Sequence, residues 1–131
     1  MAYRFEFDSV NKILLLRVEG RFTDELLAQG RPAVRKYWAA TTPSAGIVDF
    51  SSVTEFAVST GFLRQMADQV LVVDAPGSPI VMVAPATAVF GLSHMFQLLG
   101  DRKRPQLRVV RTLDEAYAAL GVQSPQFAPL E

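Results

Sequence analysis

Two hydrophobic periods alternate along this chain, and few architectures accept that alternation. Tyr3, Phe5 and Phe7 recur at every second residue among Arg4, Glu6 and Asp8, the pattern of a strand with one buried face. Residues 9–12 are turn-like, and 13–19 form a second, more apolar strand, so a hairpin is expected. After Gly20, Thr23 is a helix N-cap followed by Asp24 and Glu25, where the macrodipole favours carboxylates. Leu26, Leu27, Ala33, Val34, Tyr37 and Trp38 share one helical arc, which Pro32 is expected to kink or split. Residues 45–50 are a short apolar strand ending near Asp49, and 51–58 a polar connection. Ser59 or Thr60 then caps a helix that turns Phe62, Leu63, Met66 and Val70 to one side.

The segment 74–79 is a Pro/Gly loop, 80–84 a buried strand, and 87–99 a helix closed by Gly100. A charged loop at 101–105 precedes a strand at 107–110. Thr112 and Glu115 have the spacing of a capping box, opening a last helix that Gly121 ends. The order β-β-α-β-α-β-α-β-α predicts an α/β fold: a mixed, mostly parallel five-stranded sheet with helices on both faces. The domain is expected to span 1–121, with 122–131, containing Pro125 and Pro129, as a loosely packed or disordered tail.

Composition narrows function mainly by exclusion. At 131 residues, half of them hydrophobic, the chain suits one folded domain. Its 13 basic and 13 acidic residues cancel, so no net field attracts nucleic acid or an anionic membrane. There is no cysteine, which removes disulfides and thiolate chemistry. The first residues lack the layout of a signal peptide. Residues 75–100 carry no Asp, Glu, Lys or Arg, but Pro76, Gly77, Pro79, Pro85 and Gly91 interrupt them, and membrane insertion is not expected.

No catalytic arrangement emerges, and no cofactor or metal is expected. His94 is the single histidine. Gly91-Leu92-Ser93-His94-Met95 lacks the second glycine of a nucleophile elbow and lies inside a helix, so a hydrolase using His94 is only a third reading. Asp49 and Ser51 stand near the carboxyl end of a strand, where open α/β sheets bind ligands in a crevice; Asp49 equally suits bracing the turn that follows. In the helix 87–99, Val89, Leu92, Phe96 and Leu99 make a core stripe. Phe90, Gly91, His94, Met95 and Leu98 fall outside it on a face without charges. That face suits burial under the tail or a contact surface, for a second copy in a homodimer, another protein or an apolar small molecule.

Two segments carry a family resemblance. Ile47-Val48-Asp49-Phe50-Ser51-Ser52-Val53-Thr54 is similar to the third strand and following turn of the STAS family, the group of SpoIIAA-like anti-sigma-factor antagonists. Val58-Ser59-Thr60-Gly61 resembles that family's Asp-Ser-Ser-Gly at a helix N-terminus, with Val58 in place of the acid. The resemblance implies a bacterial, cytoplasmic regulatory domain that works by protein–protein contact, without catalysis. It also implies Thr60, and next to it Ser59, as candidate phosphate acceptors, although both hydroxyls equally suit N-capping. Some members of the wider fold group resemble lipid-binding Sec14-type domains, which supports the apolar-ligand alternative.

Overall fold

The computed structural model describes residues 3–59, 61–62, 65, 78–85, 89–91, 93–94 and 107–130. Strand β1 (Tyr3–Asp8) turns into β2 (Ile13–Thr23), and the two pair antiparallel with Phe5 opposite Leu16. Helix α1 (Asp24–Thr41) returns the chain to β3 (Ala45–Ala57), which lies parallel to β2. Then come β4 (Ile80–Val83), β5 (Leu107–Val110), helix α2 (Leu113–Leu120) and a sixth strand, β6 (Ala128–Pro129). The sheet order is β5-β4-β3-β2-β1-β6. Pairings from β2 to β5 are parallel, and those of β1 with β2 and β6 antiparallel. Helical backbone is also present at Gly61, Phe62 and Gln65 and at Val89, Phe90, Gly91, Ser93 and His94.

The mixed, mostly parallel sheet with both faces covered is as expected, with one strand more. That strand comes from residues read as tail. Their apolar side chains are sparse, but Val122 and Phe127 pack on the core, and Leu130 N–H donates to Phe5 O at 2.9 Å. Alternation along the strands divides the core into two layers. Ile13, Leu15, Ile47, Val81 and Val83 meet Ala116 of α2 on one face. Val18, Phe22 and Phe50 lie on the other with Val58, Ala84 and Val89, and Leu26 and Leu27 of α1 pack against them.

Three local readings need correction. Gly20 does not end β2: at φ +74° it sits at an irregularity in the β2–β3 register, and pairing resumes from Arg21 opposite Glu55 to Thr23 opposite Ala57. Glycine is suited to this position because a side chain disfavours positive φ. Consequently β3 continues through residues 51–57 rather than stopping at Phe50, and Val53 and Phe56 pack against the core there. Pro32 does not split α1. Ala28, whose carbonyl loses its helical donor, and Pro32 itself are both exposed, so the missing bond lies on the solvent side of the helix.

Helix α1 has no fully buried residue, so its seat depends on a few contacts. The Phe5 and Tyr37 rings lie 4.4 Å apart, and Trp38 lies over Gly46. A Cβ on Gly46 would stand 3.0 Å from Trp38 Cζ3 and 3.1 Å from Ile80 Cδ1. Gly46→Val should destabilise the domain by about 1–3 kcal/mol through overpacking, with Trp38 fluorescence reporting a displaced indole. An unchanged urea midpoint and emission spectrum would contradict this packing.

Candidate functional site

The start of α1 and the start of the helix after β3 meet at one carboxylate. Thr23 Oγ1 caps α1 by accepting from Leu26 N–H at 3.1 Å. This leaves Asp24, in the first turn, directed toward the next helix start. Its Oδ1 accepts from Ser59 N–H at 2.8 Å and its Oδ2 from the Ser59 hydroxyl at 2.9 Å. Ser59 Oγ in turn accepts from Phe62 N–H at 3.2 Å, the geometry of an N-cap. One exposed serine thus caps its own helix and clasps α1. The capping reading of Ser59 is realised in the structure; its modification is a separate matter.

Val58 is 8 % exposed and belongs to the core, so its side chain is unavailable to the hydroxyls beside it. The negative charge at Ser59 is delivered by Asp24 instead, thirty-five residues away in sequence. The sequence shows Asp24 only as a favourable first-turn residue. Its contact with Ser59 depends on the parallel register that brings Thr23 opposite Ala57. Thr60, the other acceptor candidate, lies outside the described residues.

Asp49 is not open to a crevice. It is 2 % exposed, with Oδ1 accepting from Ser51 N–H at 2.9 Å and Oδ2 from Arg17 Nη1 at 3.2 Å. Arg17 Nε donates to Glu6 Oε2 at 2.7 Å, so one guanidinium bridges β1 and β3 across β2. Ser51 itself is exposed. The cluster affects Tyr117 of α2. Burial raises the phenol above its ordinary value; Arg17 opposes that rise, and Asp49, Asp114 and Glu6 add to it. Sequence reasoning had no signal for Arg17, because an alternating polar residue in a strand usually faces water.

On the uncharged helix, Val89 is buried as expected, while Phe90 is half-buried against the same core layer. The Arg111 guanidinium lies 4.8 Å from the Phe90 ring centroid, and His94 stacks on that ring at 6.2 Å. Gly91 and His94 are exposed, whereas Ser93 is 4 % exposed. Met95 and Leu98 lie outside the described residues. Among the described residues no cluster of acidic or histidine side chains suits a metal ion, and no helix is long and apolar enough to cross a membrane.

A mixed sheet in this order, with helices on both faces, defines an α/β domain of the anti-sigma-factor-antagonist fold. The likeness is to SpoIIAA. The structure of the anti-sigma factor antagonist SpoIIAA in its unphosphorylated form superposes with a TM-score of 0.61 at 14 % identity, covering 94 % of this chain and 100 % of that one. The Bacillus cell fate determinant SpoIIAA in its phosphorylated form matches with a TM-score of 0.54 at 17 % identity, covering 91 % and 99 %. No family model and no curated protein matches the sequence. The chain is therefore a divergent SpoIIAA-like domain in fold.

Proposed function

We propose that this domain is a non-catalytic regulatory module that works by protein–protein contact, switched by phosphate at the helix start beside Asp24. The observation that carries this reading is the Asp24–Ser59 clasp: an exposed hydroxyl at a helix N-terminus, already holding a carboxylate. SpoIIAA, the fold relative, has been seen both phosphorylated and unphosphorylated. In this reading Ser59 is the cap and Thr60, the next residue, is the acceptor. A phosphate of charge about −1.5 to −2 beside the Asp24 carboxylate loosens the α1 junction by repulsion and changes the surface a partner reads. The reading includes a bacterial, cytoplasmic setting, with another chain or a second copy as partner.

Thr60→Glu should fold normally and change partner capture, and Asp24→Asn combined with Thr60→Glu should reverse part of that change. Affinity capture with these variants, together with mass spectrometry of the native protein, tests it. Identical partner sets with an unmodified Thr60 would reduce the site to a plain cap. Self-association through the 87–99 helix belongs to the same proposal. Phe90 is too closely packed for an acidic substitution to be clean, so Leu98→Lys is the preferred probe in sedimentation.

A further inference from the structure

The C-terminal residues close the β1 side of the sheet with very little strand. β6 pairs with β1 only through Ala128 opposite Phe7 and Pro129 opposite Glu6. The bond from Leu130 N–H to Phe5 O identifies Phe5 and Phe7 as the β1 residues whose backbone groups face β6. Pro129 falls between them, where its missing N–H takes nothing from β1. The outer side of β6 loses the donor that a further strand would need. Upstream, Gln126 N–H donates to Asp8 Oδ2 at 3.3 Å, and the Phe127 ring lies 6.3 Å from that of Tyr117.

We propose that residues 122–130 are a displaceable guard over β1, and that the edge beneath is a self-complementary pairing surface for a second copy of this chain. The argument for that occupant lies in β1 itself. Antiparallel pairing centred on Phe5 uses the backbone groups now facing β6. It sets Phe5 opposite Phe5 of the second copy, Tyr3 opposite Phe7, and Arg4 opposite Glu6. Two-fold symmetry makes each of the last two pairs twice, and opposite charges and aromatic pairs across strands are stabilising. The Arg4 side chain is 61 % exposed and lies 3.6 Å from Glu6 and 3.3 Å from Glu19.

The test is analytical ultracentrifugation of the full chain and of the chain ended after Gly121. The full chain's own mass is the baseline, so any association through the 87–99 helix is common to both. The truncated chain should double in mass relative to that baseline, and the peptide of residues 122–131 added in trans should reverse the doubling. Arg4→Glu in the truncated chain should abolish it. If circular dichroism shows the truncated chain unfolded, Ala128→Pro with Leu130→Pro removes the two donors to β1 while keeping Phe127. A folded form of either variant at the full chain's mass overturns the proposal, and so does a doubling that Arg4→Glu leaves intact.

Discussion

Arg17→Met is expected to destabilise the domain by at most about 3–5 kcal/mol, the range for removing one partner of a buried ion pair, reduced by the 28 % exposure of the Arg17 side chain. The loss is large because Arg17 is the cation bound to Asp49 and the nearer of two bound to Glu6, at 2.7 Å against 3.6 Å for Arg4. The side chains of Glu6 and Asp49 are 13 % and 3 % exposed, and without Arg17 both remain largely desolvated. Asp49 keeps its bond from Ser51 N–H, which compensates only part of that charge. Arg17→Lys should recover only a fraction, since a point charge cannot reproduce a fork that reaches Glu6 with Nε and Asp49 with Nη1. Asp49→Asn in the Arg17→Met background should restore stability, a non-additivity expected of contacting residues. Urea unfolding of wild type, Arg17→Met, Asp49→Asn and the double variant measures the cycle. Tyr117 supplies an independent readout: loss of the cation that opposes its upward shift should move its absorbance titration to still higher pH. A loss below about 1 kcal/mol, the ordinary value of a surface pair, would show that the cluster is solvated.

Asp8→Ala should cost about 2–3 kcal/mol, and part of that cost should be sensitive to acid. The Asp8 residue is 1 % exposed. Its carboxylate accepts from Val10 N–H at 3.0 Å, Asn11 N–H at 3.2 Å, the Asn11 amide at 2.7 Å and Gln126 N–H at 3.3 Å. Val10 and Asn11 are exposed and regain water when the acceptor is lost, so the cost corresponds to about one hydrogen bond to a charged group. Burial alone would raise this pKa. The Asn11 side chain and the backbone donors of Asn11, Val10 and Gln126 outweigh it and hold the carboxyl below 3.8. A folded-state pKa below the unfolded one means stability that is complete above pH 3.8 and lost as pH falls through the folded value. Asp8→Asn should therefore be less stable than wild type at neutral pH and approach it below pH 3.8. Parallel denaturation curves for the two across that range would refute the assignment. Because Gln126 lies in the guard, amide exchange at Leu130 should also accelerate in Asp8→Ala.

Much of the local structure was readable because its causes are local. Tyr3, Phe5 and Phe7 had to alternate for β1 to exist, and β1 is where they place it. Thr112 caps α2, with Glu115 N–H donating to Thr112 Oγ1 at 3.1 Å, while the Glu115 carboxylate reaches back to Arg111 N–H at 3.2 Å, one residue before the cap, and Gly121 closes α2 at φ +69°. Thr23 caps α1 as its position before Asp24 and Glu25 implied. Short runs such as residues 80–83 lie in the buried parallel part of the sheet, where both faces are covered and alternation gives way to continuous hydrophobicity.

What the tertiary structure decided concerns partners far apart in the chain. Residues 51–57 read as a connection because Ser51, Ser52, Thr54 and Glu55 outweigh Val53 and Phe56 in the local pattern; the continuation of β2 past Gly20 makes them β3. Residues 122–131 read as tail because two strand residues and one phenylalanine are too weak a local pattern, and only the free edge of β1 gives them a place. Nothing in the local pattern marks Arg17 until β1 and β3 bring Glu6 and Asp49 to either side of it. In the same way, Ser59 is legible as a cap, but not as the residue that holds Asp24. A cap needs only the next turn of its own helix, whereas the clasp requires two helix starts to be brought together by a parallel register that no local pattern encodes.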